Sequence, residues 1–157
     1  MPTLMSLFEN EREANLESTV AMVEAVLREL GHDPAARRTA GTPEPSWSFS
    51  HGSTRVQVSL VERDEFTHLR VVAPVMLTDA RVDTLRLYRR LLTLHDRDVY
   101  GAAFAARQNE ILIVAERSTV DLDIGEVRDT ILRVRDYADR YDDLLVEEFG
   151  GRLPHDA

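Results

Sequence analysis

The sequence predicts an α+β fold in which a twisted antiparallel sheet is flanked by helices, in the order α-β-β-β-α-β-β-α. Three segments carry apolar residues at every third or fourth position, which is typical of helices with one buried face. Between them lie segments that alternate apolar and polar residues, which is typical of strands. With 157 residues and 43% apolar content the chain can bury its own core, so we expect one domain over residues 1–157.

The first helix is predicted from about Glu9 to Leu30, and Gly31 provides its C-terminal stop. Its apolar residues follow spacings of four, three and four, so they form one stripe along the helix. We expect this stripe to open as a groove for an extended segment of a partner protein. The groove residues are Leu16, Val20, Val23 and Leu27.

The segment from Asp33 to Ser46 is predicted to be a mobile connection. It contains three prolines, a glycine and two adjacent arginines. Because it is short and leads directly into the sheet, we interpret residues 33–46 as a connection within one domain and not as a domain boundary.

Three strands are predicted next, from an alternation that starts at Trp47. Trp47 and Phe49 alternate with serines, and a turn at His51-Gly52 leads to a second alternating segment around Val58. After a charged turn, a third segment alternates around Val71. The pattern indicates an antiparallel meander with one apolar face and one polar face, in which Trp47 belongs to the core.

The second helix is predicted from Asp79, as its N-cap, to His95. Its apolar residues cover about 180° of the circumference, whereas packing one face onto a sheet needs roughly 100°. The excess indicates either a helix that is deeply buried in its own domain or a contact with a second subunit. We favour the subunit contact and assign the homodimer interface to Leu87, Leu91 and Leu94.

A hairpin over Gly101–Glu116 and one long helix complete the predicted fold. The hairpin is apolar on both faces, which favours a central place in the sheet for its strands. The helix begins at Asp123, where Glu126 completes an acidic variant of the capping box, and ends at Gly150-Gly151. The acidic residues of Asp139–Glu148 fall on its outer face, which favours a solvated surface over a docking strip for a basic partner.

The residue types required by many enzymes are missing. The sequence has no cysteine, and all 19 of its basic residues are arginine, so thiolate, disulfide and lysine chemistry are excluded. The five histidines form no i,i+4 pair on a helix, and His95-Asp96 is interpreted as a helix end instead of a metal-binding dipeptide. We therefore expect no catalytic site, no metal and no cofactor.

The charge of the chain limits its partners and its location. The formal net charge is −9, so we expect no direct binding to nucleic acid and none to an anionic membrane. No segment approaches the roughly 18 apolar residues of a membrane span, and Met1–Glu9 lacks the pattern of a signal peptide. We expect a cytoplasmic protein.

The order of elements and the end of the last helix resemble the YbjN family. The motif lies within Val127–Gly151, and its final part, Asp139–Gly151, reads Asp-Arg-Tyr-Asp-Asp-Leu-Leu-Val-Glu-Glu-Phe-Gly-Gly. That family is similar in fold to the type III secretion chaperones of the Tir-chaperone (CesT) class. The resemblance covers nearly the whole chain from the first helix onward.

The resemblance implies a non-catalytic, dimeric, chaperone-like module that binds a protein client or peptide, with a stress-related or regulatory role. It also implies a dimer contact through the second helix and the adjoining strands, and a client that wraps around the apolar surface in extended form. No functional residue of the family is carried over. The alternative function is a regulatory domain that senses a small ligand or modulates a partner enzyme.

Overall fold

The computed structural model describes residues 4–156 of the chain. Met1–Thr3, which belong to the segment searched for a signal peptide, and Ala157 lie outside the described residues. The helices are α1 (Leu4–Glu29), α2 (Pro34–Arg37), α3 (Thr84–Arg97) and α4 (Ile124–Phe149), followed by a short 3-10 turn, Pro154–Asp156. The strands are β1 (Ser46–His51), β2 (Thr54–Arg63), β3 (Phe66–Leu77), β4 (Ala103–Arg107) and β5 (Glu110–Ser118).

The five strands form one open antiparallel sheet in the order β1-β2-β3-β5-β4. This confirms the predicted fold and the order of its main elements, to which the structure adds the short helix α2. The prediction that the Gly101–Glu116 hairpin is central was wrong for its first strand, because β4 lies at an edge of the sheet. Of the two hairpin strands only β5 lies inside the sheet, where it pairs with β3 on one side and β4 on the other.

One face of the sheet carries the core of the protein. Trp47, Val58, Val71 and Ala115 stand side by side on four neighbouring strands, and all four are buried. α4 packs across β2, β3 and β5 on this face, with the Tyr141 ring in edge contact with Phe104 of β4. The burial of Trp47 agrees with its interpretation as a core residue.

α4 begins and ends as its sequence predicts. The Asp123 side chain accepts the backbone N–H of Glu126, and the Glu126 carboxylate accepts the backbone N–H of Asp123, so the capping box is complete. At the other end, Gly150 and Gly151 both have positive φ angles and turn the chain back toward the sheet. There Arg152 pairs with Leu77, beside the last residues of β3.

α3 begins four residues later than predicted, and its N-cap is Asp83 instead of Asp79. The Asp83 side chain accepts the N–H of Arg86, which satisfies a free donor of the first helical turn. Asp79 instead accepts the N–H of Arg81 in a turn before the helix. Hydrogen bonds from Arg81 lower the pKa of Asp79 to about 2. The sequence signal at Asp79 was therefore a turn signal, because aspartate also closes turns of this kind.

The connection at residues 33–46 contains the short helix α2, which the sequence analysis missed. Asp33 caps α2 through the N–H of Ala35, and Arg38 then pairs with Trp47 as an isolated bridge. The Arg38 guanidinium lies 4.8 Å from the centre of the Trp47 ring and 3.6 Å from a carboxylate oxygen of Glu24. These contacts tie the connection to β1 and α1, while its mobility stays a prediction.

Candidate protein-binding surfaces

The predicted groove on α1 is closed in the structure. Val23 and Leu27 are fully buried in the core, and Leu16 and Val20 are half-buried against it. α1 packs along α4, and an ion pair joins Glu29 at the end of α1 to Arg128 of α4. A client that occupied the whole stripe would therefore have to displace α1 from α4.

The middle of α1 is fastened to the sheet through Asn15. Its side-chain amide donates to the carbonyl of Thr119 at 3.0 Å and accepts the Thr119 hydroxyl at 2.6 Å. The same hydroxyl lies 3.0 Å from the carbonyl of Thr67 on β3. This polar clamp divides α1 into a packed C-terminal half and an N-terminal part that is exposed to solvent at residues 7–14.

Large apolar side chains are exposed in the three segments that this clamp connects. Leu7 and Phe8 are exposed on the N-terminal part of α1, and Arg12, one turn later, pairs with Glu62 near the end of β2. Two further exposed residues are sequence neighbours of the clamp: Phe66 precedes Thr67, and Val120 follows Thr119. We call these four side chains the α1 corner, and they are Leu7, Phe8, Phe66 and Val120.

The leucines assigned to the dimer interface lie inside the domain. Leu87 is 0% exposed, and Leu91 and Leu94 are each 5% exposed, all within the core cluster. The premise that these residues lack a partner in their own domain was therefore wrong, because α3 covers the core beside α4. The contact of α3 with a second subunit stays a prediction.

A different apolar stripe of α3 faces solvent. Leu92 is 70% exposed and Leu85 is 63% exposed, and Tyr88 lies between them on the same side of the helix. We call Leu85, Tyr88 and Leu92 the α3 stripe. It borders the edge strand β4, and together they enclose an apolar cavity of about 380 Å³. The cavity is lined by Tyr88, Leu91, Leu92, His95 and the residues of Ala103–Ala106.

β1 presents a free strand edge next to α2. The carbonyl of Pro45 accepts the N–H of Leu60 on β2, whereas the carbonyl of Ser46 points the other way and accepts the N–H of Thr39. By the alternation of a strand, the backbone groups of Ser48 and Ser50 point outward as well. In the part of the chain that the structure describes, no strand covers this edge beyond the bridge at Arg38.

The helix-free face of the sheet carries a charged cluster at Glu116. Arg63 and Arg70 both donate to the Glu116 carboxylate, and these hydrogen bonds hold its pKa at about 2. The cluster joins β2, β3 and β5 on the face opposite to α4. The sequence analysis did not single it out, although the three residues occupy polar positions of alternating strands.

Asp142 departs from the predicted exposed acidic face of α4. It is buried, and its carboxylate accepts the hydroxyl of Ser53 at 3.3 Å and the N–H of Asp143 at 2.6 Å. Burial raises the pKa of Asp142 above its usual value. The position links the end of α4 to the β1–β2 turn, and a charge pattern alone could not separate it from its exposed neighbours.

The described residues offer little for metal or membrane chemistry. Among residues 4–156, no group of three or more His, Asp or Glu side chains is placed to hold a metal ion. No helix within that range is both long and apolar enough to cross a membrane. The predicted interaction surfaces therefore remain the features to be explained.

Comparison with known proteins identifies the family. The model of the TY-Chap1 family, described as "T3SS (YopN, CesT) and YbjN peptide-binding chaperone 1", matches residues 17–157. The chain belongs to this family. The match confirms the resemblance predicted from the order of elements and from the Asp139–Gly151 motif. No curated protein sequence matches this chain.

Two solved structures are similar to this TY-Chap1 protein at the level of the fold. A chain of the ExsC–ExsE complex has 16% identity and a TM-score of 0.62, over 82% of this chain and 94% of that chain. A chain of the heterodimeric ExoU–SpcU complex from the type III secretion system of Pseudomonas aeruginosa has 15% identity and a TM-score of 0.54, over 77% and 95%. At these identities the likeness shows a shared fold.

Proposed function

We propose that this TY-Chap1 protein is a non-catalytic, dimeric chaperone-like module that binds an extended segment of a client protein. The family description names peptide binding, and the described surface offers exposed apolar patches and free strand edges. A stress-related or regulatory role in the cytoplasm is part of the proposal.

The client surface begins at the α1 corner and continues along α1. Burial of a client's apolar side chains is most favourable against large apolar side chains that are exposed to solvent, such as Phe8 and Phe66. Leu16 and Val20 extend this surface, since both are only half-buried. The fully buried Val23 and Leu27 would join it only if α1 moved away from α4.

The dimer contact is proposed at the α3 stripe and the β4 edge. Leu85 and Leu92 are the most exposed leucines among the described residues, and Leu92 lines the cavity beside the edge strand β4. Two copies related by a two-fold axis would bury each other's stripe with the same residues, as isologous contacts require. The cavity beside Tyr88 gives the opposing stripe a place to insert.

Client binding is tested with substitutions at the α1 corner that keep the buried half of α1 intact. Removing α1 altogether would take away Val23, Val26 and Leu27 from the core, so loss of binding would not separate function from folding. We expect Phe8→Ser combined with Phe66→Ser to lower client retention at least about fivefold, since two apolar contacts are lost. Tagged protein is incubated with a lysate of the native organism, and retained proteins are quantified by mass spectrometry.

The matched control replaces exposed polar residues of the same helix, Glu9→Gln and Glu13→Gln, and should retain the client as the wild type does. Circular dichroism and melting temperature establish that each variant is folded. Hydrogen exchange on the retained complex should show new protection at α1 and β3. Protection confined to the acidic end of α4, at Asp139–Glu148, would contradict the proposed surface and support an electrostatic docking strip.

A further inference from the structure

We propose that the helix-free face of the sheet binds an acidic, extended segment of a partner protein along the β1 edge, between Arg37 and Arg55. The proposal rests on the peptide-binding function proposed above and adds the chemical class of one bound segment. Three observations support it: the charge of this face, a concavity at its β1 end and the free backbone edge beside it.

The charge of the helix-free face is opposite to that of the whole chain. The net charge of the protein is −9, yet the side chains that alternate onto this face include more arginines than glutamates. Glu116 is already neutralised by Arg63 and Arg70. The charged residues of this face are Arg55, Arg63, Arg70, Arg107, Glu110 and Glu116.

The β1 end of this face forms a concavity of about 600 Å³. Arg37 and Arg55 line it together with Ser48 and Ser50, and its lining also includes Glu110 of β5 and two residues of the C-terminal turn, Pro154 and His155. The Nε of Arg55 donates to the hydroxyl of Ser48 at 3.2 Å, which holds the guanidinium over β1. Among the residues that the structure describes, no carboxylate forms an ion pair with Arg37 or Arg55.

A neighbouring histidine senses the positive charge of this corner. His32 lies at the end of α1 with its ring 4.6 Å from that of Phe49. Burial, and then the charges of Arg37 and His51, lower the pKa of His32. Two guanidinium groups therefore line a concavity in which Glu110 is the one carboxylate among the described lining residues, and carboxylates of a partner are the groups that complement them.

The backbone edge of β1 distinguishes a protein segment from a free anion. Beyond the bridge at Arg38, the outward-pointing C=O of Ser48 and the N–H and C=O of Ser50 need a strand as their partner. A strand added there would alternate its side chains, so every second residue would project toward Arg37 and Arg55. Nucleic acid fits less well, because its continuous charge would meet the acidic remainder of the molecule.

The test uses a defined probe, a short fluorescein-labelled peptide that alternates Glu with Val and Thr. A matched peptide carries Gln in place of every Glu. We expect the wild-type protein to bind the acidic peptide at least about tenfold more tightly at low salt, by fluorescence anisotropy. The tenfold preference corresponds to about 1.4 kcal/mol. Trp47 is the only tryptophan and lies on β1, so its emission provides a second readout.

Substitutions decide whether the preference arises at this site. Arg37→Gln combined with Arg55→Gln should abolish the preference for the acidic peptide. The matched control, Arg89→Gln combined with Arg97→Gln on the exposed side of α3, removes the same amount of charge. This control should keep the preference for the acidic peptide. Amide NMR shifts caused by the acidic peptide should be largest at Ser48, Ser50 and their neighbours.

Equal binding of both peptides, absence of binding, or shifts located elsewhere would overturn the proposal. Displacement of the peptide by a single-stranded oligonucleotide at physiological salt would also overturn it in favour of a nucleic-acid site. The outcome is independent of the client experiment. Client retention through the α1 corner can succeed while the acidic preference fails, and the peptide titration can succeed while no client is retained.

Discussion

Glu116 shows at the scale of one residue how the fold controls ionisation. Its carboxylate accepts hydrogen bonds from Arg63 and Arg70 on two neighbouring strands, and these bonds lower its pKa to about 2. The unfolded chain holds no such pair, so there the group titrates near its ordinary value of about 4.3. Because the folded pKa is the lower one, the stabilisation is fully present above the unfolded pKa and is lost as the pH falls toward 2.

Glu116→Gln should therefore lower the free energy of unfolding at pH 7, by about 1 kcal/mol, since the arginines are partly exposed to solvent. The difference between variant and wild type should shrink between about pH 4.5 and pH 2, as Glu116 of the wild type takes up its proton. Urea unfolding of the variant and the wild type at several pH values measures this difference in the free energy of unfolding. A difference that stayed constant over this range would show that the carboxylate acts by packing and not by charge. Glu65→Gln, in the β2–β3 turn, is an exposed control.

α3 shows at the scale of an element why periodicity could not assign its faces. Leu87, Leu91 and Leu94 on one side and Leu85, Tyr88 and Leu92 on the other are equally apolar. The sequence identified an apolar arc that was too wide for one interface. Only the packing of α3 beside α4 decides which half of the arc is buried.

Adjacent leucines of α3 should respond differently to the same substitution. Leu92→Glu should give folded monomers, because the charge lies at the proposed subunit contact and remains in water in the monomer. Leu91→Glu should unfold the protein or destabilise it by more than about 3 kcal/mol, because the charge is placed in the core. Light scattering at tens of micromolar, with circular dichroism, distinguishes the two. A wild type that is monomeric under these conditions would contradict the proposed dimer.

The turn after α4 is a second element-scale feature, with two glycines that differ in their surroundings. Both have positive φ, but a Cβ on Gly150 would meet nothing within 4 Å, whereas a Cβ on Gly151 would lie 2.4 Å from the carbonyl oxygen of Leu77. At Gly150 a side chain adds only backbone strain. At Gly151 it also collides with the strand that the C-terminal segment pairs with.

Gly150→Ala should destabilise the protein by about 2 kcal/mol, because the backbone of Gly150, with φ 79° and ψ −154°, lies in a region that is open essentially only to glycine. Gly151→Ala should cost more, about 3 kcal/mol, and should expose the amide of Leu77, which donates to Arg152 in the wild type. Chemical denaturation and hydrogen exchange of both variants measure these effects. Equal destabilisation by the two substitutions would show that the C-terminal segment shifts without cost.

At the scale of the whole molecule, the net charge of −9 sets the long-range field. We expect no binding of single-stranded or duplex oligonucleotides tighter than about 1 µM in about 0.15 M salt, since the arginines are either paired or confined to small patches. A gel-shift or anisotropy titration tests this prediction. Affinity in the nanomolar range would require a basic surface that neither the composition nor the described residues provide.

The sequence by itself determined the main elements, because each depends on local chemistry. The Asp123–Glu126 capping box, the alternation around Val58 and the stop at Gly150-Gly151 lie within a few residues of the features they predict, and the structure places all three as expected. The family was also accessible, since the end of the last helix carries a motif in consecutive residues and the order of elements is read along the chain.

Only the tertiary structure decided which apolar surfaces are exposed. The α1 stripe lies against the core, the assigned leucines of α3 lie inside it, and the α1 corner combines residues from α1, β3 and the loop after β5. Burial results from contacts between elements far apart in the chain. The apolar periodicity of a helix or strand is the same whether its apolar face is covered within the domain or exposed to a partner. The positive charge of the helix-free face could not be predicted from the acidic composition either, because the pairing register of the strands brings its arginines together.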